Sequence, residues 1–138
     1  MNLRAFQPAD RDDCLRILRA IQPLAYPGQA YSVITGEDFE AQTRGEEIWV
    51  AQEEGAIAGF VSIYQPAGFI HHLYVDPFRH RRGIGRALLD LALRQSGGHA
   101  DLKCSEANRA AQDFYLAGGF RPAGWGWAAS GPWIRYRF

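Results

Sequence analysis

The chain has 138 residues, no net charge, 47% apolar residues and 22% charged residues. That is an ordinary composition for a globular chain with a substantial core, so we expect a single domain over residues 1–138. The neutral total argues against a dedicated nucleic-acid binder. No apolar run approaches membrane-spanning length and no signal peptide is visible, so no membrane partner is expected. Cys14 and Cys104 are too few and too far apart for a disulfide framework or a metal spacing, which fits a reducing cytoplasm.

In chain order, residues 2–7 read as a short strand with Leu3 and Phe6 turned to the core. Pro8 suits the first turn of a helix, where its missing N–H costs nothing. Asp10, Asp12 and Asp13 complement the dipole there. Cys14, Ile17, Leu18 and Ile21 then recur at helical spacing, and Cys14 reads as a small buried apolar residue. Residues 23–36 collect turn formers and aromatics (Pro23, Tyr26, Pro27, Gly28, Tyr31) and read as a loop, followed by a helix near 37–43. Tyr26 and Tyr31 either line a substrate pocket or pack over the core edge. Glu37, Asp38 and Glu40 either attract a cationic amine or form a solvated helix face.

Residues 48–52 alternate apolar and polar, Glu53-Glu54-Gly55 is a hairpin signal, and residues 56–64 form a long strand with Gly59 at a bulge. Gln65 to Gly68 turns the chain into a further strand, 69–75, which Asp76-Pro77 ends. There follows a basic loop, a glycine turn and a helix. Gly83 and Gly85 let backbone and ligand approach closely. From Ile84, the residues Ala87, Leu88, Leu91 and Ala92 mark a buried helical face. The free N–H groups at such a helix start favour phosphate, and Arg79, Arg81, Arg82 and Arg86 surround it with positive charge. The stretch lacks the lysine and hydroxyl of a P-loop. Leu88 stands where a dinucleotide fingerprint needs its third glycine.

After Gly97-Gly98, residues 99–104 form a strand reached by a helical crossover, and so parallel to 69–75. A helix over 105–118 follows, with Asn108 as N-cap. Tyr115, two turns on, shares the face of Asn108, and Phe114, about 100° round, is placed to enter the core. Residues 120–127 and 132–138 close the sheet as a pair of strands. Their Trp125, Trp127, Trp133 and Tyr136 shape a pocket, a dimer contact or simply a core.

The run His80-Arg81-Arg82-Gly83-Ile84-Gly85 resembles the acetyl-CoA-binding motif of the GCN5-related N-acetyltransferase (GNAT) family, Arg/Gln-x-x-Gly-x-Gly/Ala, with His80 departing from the first position. Asn108 to Phe120 resembles the family's later motif, Asn-x-x-Ala-x-x-Phe-Tyr followed by Gly-Phe. The resemblance implies an α/β (α+β) fold: a mixed, mostly antiparallel central sheet of about seven strands, flanked by about four helices, with a splayed parallel strand pair. It implies an acetyl-CoA-dependent N-acetyltransferase moving an acetyl group to a primary amine, in a small molecule or a protein, by direct attack in a ternary complex.

On that basis the cofactor would be held by His80, Arg81, Arg82, Gly83, Ile84, Gly85, Arg86 and Asn108. Main-chain contacts would come from Leu73 and Val75, and Tyr115 would act as general acid. A phenol near pKa 10 stays protonated and can donate to the leaving thiolate. His71 and His72, just upstream of Leu73, are the candidate bases, directly or through water, since imidazole titrates near 6.5; water as the base, or no base at all, are the alternatives. Successive strand residues face opposite ways, so one of the pair, His71 by preference, is expected to point into the cleft. Cys104 offers an acetyl-cysteine route as an alternative to direct attack. Two other readings stand beside the enzyme: a non-catalytic acyl-CoA-binding regulator or scaffold, and a nucleic-acid module, which the neutral charge disfavours. A homodimer is compatible with the family.

Overall fold

The computed structural model describes residues 1–26 and 33–138, so Pro27, Gly28 and Tyr31 lie outside the described residues. Strand β1 (Asn2–Ala5) leads through a 3-10 turn at Pro8–Asp10 into α1 (Arg11–Ala25). Then come α2 (Gly36–Gln42), β2 (Glu47–Glu53), β3 (Ala56–Tyr64), β4 (Phe69–Val75) and a second 3-10 turn at Pro77–Arg79. The second half is α3 (Ile84–Gln95), β5 (Asp101–Ser105), α4 (Arg109–Ala117), β6 (Arg121–Ala128) and β7 (Gly131–Arg137). The strands form one seven-stranded sheet in the order β1-β2-β3-β4-β5-β7-β6. Every neighbouring pair is antiparallel except β4 and β5. This is the expected mixed sheet with its parallel pair. Among the described residues, no helix is long and apolar enough to cross a membrane.

Two apolar clusters cover the two faces of the sheet. On one, Cys14, Ile17, Leu18 and Ile21 of α1 and Phe39 of α2 pack on Val50, Ile57 and Phe60. On the other, Ile84, Leu88, Leu89 and Ala92 of α3 pack on Val61, Ile63, Ile70 and Leu102, joined by Tyr115 of α4. A regular strand would place every second residue on one face. Ile57 and Phe60 share a face although three positions apart, because β3 carries an extra residue at Ala58 (Ala51 pairs Gly59, Gln52 pairs Ile57). The bulge thus falls beside Gly59, and the Ala58 carbonyl it releases accepts the Asp76 N–H at 2.8 Å.

The first helix runs further than the turn residues suggest. Pro23 lies inside α1, in its last turn, rather than opening a loop. A proline there removes a single hydrogen bond. Burial of Ile21 and Ala25 against the core, and the Tyr26 N–H to Gln22 carbonyl bond of 3.0 Å, carry the helix past it. Two of the three acidic residues of α2 are structural: the Asp38 carboxylate accepts the Thr35 N–H in a capping box and Glu40 pairs with Arg11 at 2.8 Å. α4 begins at Arg109 rather than near 105, since Ser105 to Asn108 forms a turn closed by Asn108 N–H to Ser105 carbonyl, 3.0 Å. On the closing strands Tyr136 is core, whereas Trp125 and Trp127 are exposed.

Gly59 is held between backbone and core. A Cβ there would meet the Tyr74 carbonyl at 2.9 Å and Leu88 at 3.1 Å. Gly59→Ala should destabilise the fold by about 1–3 kcal/mol. The check is urea unfolding, with a lower midpoint at unchanged slope.

Candidate active site

β4 and β5 pair at two positions, Phe69 with Asp101 and Ile70 with Leu102, and no further ladder pair joins them. Past Ile70 the strands part, and a cleft of about 960 Å³ opens between their C-terminal halves. Its walls include Leu73, Tyr74 and Val75 of β4, Cys104 of β5, Asn108 and Tyr115 of α4, and the loop leading into α3. The residues expected at the cofactor from both motifs therefore meet in one place, except Arg82, which is not among the cleft walls and pairs with Glu53.

The loop is an unusual piece of backbone. Arg81 has φ +67° and Gly83 φ +78°, both left-handed. Such a value costs a non-glycine residue about 1–2 kcal/mol. Gly83 is the N-cap of α3 and the first helical bond is Ala87 N–H to Gly83 carbonyl, 3.0 Å. The amides of Ile84, Gly85 and Arg86 thus have no acceptor within the helix. Gly85 lies against Phe114 and Val75, where a Cβ would stand 3.4–3.5 Å from both.

The arginines divide into two groups. Arg79 and Arg82 both donate to Glu53 Oε1 at 2.9 Å, mooring the loop to the end of β2. Burial raises the Glu53 pKa, but the two guanidiniums more than offset it and hold the carboxyl below its ordinary range. Arg86 pairs with Asp90 one turn along α3, 3.0 Å. Among the described residues Arg81 makes no ion pair. Asp76, 6% exposed, accepts from the Phe78 N–H at 3.0 Å and from Arg16 at 3.1 Å. His80 donates from Nε2 to the Val75 carbonyl at 3.1 Å. That bond pins the loop to β4 and occupies one lone pair of the Val75 carbonyl.

On α4, Asn108 Oδ1 caps the helix by accepting the Ala111 N–H at 3.2 Å, so its amide nitrogen is the group left for the cleft. The two aromatics exchange the burial expected of them. Tyr115 is 9% exposed and packs among Phe114, Phe120 and Tyr136, whereas Phe114 is half-buried and lines the cleft over Gly85. Burial raises the Tyr115 pKa above the ordinary phenol range. Burial likewise pushes the Cys104 thiol up to about 11, so it is protonated at neutral pH. Tyr26 also faces the cleft, with its hydroxyl beside that of Tyr74.

The histidine pair departs from strand alternation. Ser62 pairs with His72 and Ile63 with Ile70, so His71 is an extra residue in β4. At this bulge the rings do not go to opposite faces: their centroids are 4.0 Å apart. His71 is exposed and lines the cleft. His72 is 5% exposed, with Nδ1 2.7 Å from Ser62 Oγ and Nε2 3.3 Å from Gln42 Oε1. Burial, helped by the charge of His71, pushes its pKa down to about 3. Sequence reasoning missed Glu46, whose Oε2 lies 2.8 Å from His71 Nδ1. Nothing marked it, since it belongs to the connection before β2 and reaches β4 only in the folded sheet. Potential ligand atoms of Glu46, His71 and His72 lie within 4.8 Å of one another, but His72 would have to release Gln42 or Ser62 to bind a metal.

A neutral buried His72 makes stability depend on pH. Its folded pKa of about 3 lies below the ordinary 6.5. The unfolded chain therefore takes up the proton first, and stability falls as pH drops from about 6.5 toward 3, by about 1.4 kcal/mol per unit. His72→Gln should flatten this slope. Between pH 6.5 and 4.5 the wild type should lose about 2 kcal/mol more than the variant in urea unfolding.

The model of the acetyltransferase (GNAT) family matches residues 11–120. A peptidyl-lysine N-acetyltransferase of Escherichia coli (strain K12), YiaC, is 35% identical over 88 residues, 64% of this chain and 59% of that relative. A GCN5-related N-acetyltransferase of Rhodopseudomonas palustris superposes with a TM-score of 0.82 at 19% identity, covering 99% of this chain and 93% of that one. The PaiA N-acetyltransferase of Thermoplasma acidophilum, solved in complex with coenzyme A, superposes with a TM-score of 0.79 at 16% identity, covering 99% and 98%.

Proposed function

The chain belongs to the acetyltransferase (GNAT) family, and from that premise we propose that it transfers the acetyl group of acetyl-CoA to a primary amine by direct attack in a ternary complex. The observation that carries this reading is the cleft between parted β4 and β5, ending at three amides that have no acceptor within α3, beside a left-handed glycine turn. Main-chain donors at a helix start suit a pyrophosphate, and the tolerated strain at Arg81 is of the kind that functional loops retain. Arg81 adds charge at the loop; the other arginines shape it. The Asn108 amide nitrogen and the main chain of Leu73 and Val75 line the path of the pantetheine arm. Coenzyme A bound to the Thermoplasma acidophilum PaiA acetyltransferase supports the choice of cofactor.

The amine nitrogen attacks the thioester carbonyl carbon and gives up a proton to His71. His72 is a poor acceptor, because it is buried, engaged on both nitrogens and holds no proton until about pH 3. The tetrahedral oxyanion is stabilised by a backbone N–H on the open edge of β4. Its collapse breaks the C–S bond and expels the thiolate, toward which Tyr115 donates its hydroxyl hydrogen. Since burial raises the phenol further above a thiol near 8.5, Tyr115 stabilises the developing charge chiefly as a hydrogen-bond donor. Cys104 is a weak nucleophile at neutral pH, which favours direct attack over an acetyl-cysteine route. The Escherichia coli relative is named for peptidyl-lysine, so a lysine side chain is the first acceptor to test.

The purified chain with acetyl-CoA and lysine-containing peptides should release free thiol and acetylated peptide. Tyr115→Phe should lower kcat by about 100-fold while calorimetry finds coenzyme A binding nearly unchanged. Binding without turnover on any amine would favour the regulatory alternative, and no binding would sink both.

A further inference from the structure

Glu46 is explained by neither motif nor by the chemistry above. Its side chain is 7% exposed, in the connection between α2 and β2. Its Oε2 meets His71 Nδ1 at 2.8 Å, and its Oε1 is buried without a hydrogen-bond partner, alone in this respect among the described residues. A buried carboxylate with one donor is expensive unless that contact matters. The donor in question is the imidazole on the cleft wall. A carboxylate accepts only, so a neutral ring at this distance carries its proton on Nδ1.

We infer that Glu46 is a positioning residue, holding His71 in the Nδ1-protonated tautomer so that the Nε2 lone pair is left to take the proton of the attacking amine. This rests on the acetyl-transfer reading. Among the described residues Nε2 of His71 has no hydrogen-bond partner. When it accepts the amine proton, the ring becomes an imidazolium facing the Glu46 charge, which has no other donor to satisfy it. The ring is 37% exposed and returns that proton to water after each turnover. The neighbouring groups do not compete. His72, its ring centroid 4.0 Å away, is engaged with Ser62 and Gln42, and Phe69, at 6.3 Å, carries no charge. The bulge at His71 makes the pair possible, because a regular β4 would send the two histidine rings to opposite faces.

Two measurements test the pair. In the wild-type chain, ring-nitrogen NMR should show His71 protonated on Nδ1 and bare on Nε2 at pH 7.5; the opposite tautomer would overturn the inference without any variant. In kinetics, Glu46→Ala should lower kcat by about 10- to 100-fold with the KM for acetyl-CoA unchanged. His71→Ala should lose at least as much, and the double variant should be no worse than His71→Ala alone. Additive losses, or full activity in Glu46→Ala beside an impaired His71→Ala, would reject Glu46 and leave acetyl transfer standing. Stoichiometric zinc uptake that shifts the His71 signals would replace the pair by a metal site. A wild-type chain that acetylates nothing would sink the transferase reading, and the NMR would still decide the tautomer.

Discussion

The site depends on an interruption in the main-chain ladder. A sheet is held by the hydrogen bonds between its strands, and here one central junction is given up after two residue pairs, Phe69 with Asp101 and Ile70 with Leu102. Beyond them, polar backbone edges of two strands face each other without pairing. That is a costly arrangement in a closed interior and a useful one where a ligand with amide groups can lie between them. The apolar residues of α3 hold the sheet together across the gap. Leu88, Leu89 and Ala92 belong to one cluster that runs from Val61 and Ile63 on one side to Leu102 on the other.

Local tethers keep the rim of this opening in shape. Glu53 binds two arginines of the loop through one oxygen, His80 reaches back to the Val75 carbonyl, and Asp76 ties the end of β4 to Arg16 of α1. Burial pushes the Asp76 pKa up, but the Phe78 amide and Arg16 overcome that and hold it low, so the tether stays charged through the neutral range. Apart from His80 with Val75, these contacts join residues far apart in sequence. They brace a loop with two left-handed residues, one of them an arginine.

What was legible in the sequence was what backbone chemistry writes locally. Gly83 before an apolar helix, Asn108 seven residues ahead of Tyr115, and Asp76-Pro77 after a β-rich run each announce themselves within a few residues. The seven strands and the parallel pair followed from such signals and from crossover handedness. What failed to show depends on partners distant in sequence. The bulge at His71 exists because Ile63 pairs with Ile70 and Ser62 with His72, so alternation alone sent one histidine the wrong way. Glu46 carries no motif. Pro23 looked like a terminator because the burial of Ala25 beyond it cannot be read from a tripeptide. Phe114 and Tyr115 exchanged burial because Gly85 offers a flat seat to an aromatic ring.

The spending of the arginines has an electrostatic result. Glu53 quenches two guanidiniums and Asp90 a third, which leaves Arg81 as the one loop arginine without an ion pair among the described residues. The chain as a whole is neutral. Its far field is therefore weak, and an anion is not drawn in over distances beyond the roughly 8 Å screening length of physiological salt. If the loop holds a diphosphate as proposed, capture happens at contact, through fixed amide dipoles whose reach is a single hydrogen bond. Such a grip discriminates by shape and is largely indifferent to ionic strength.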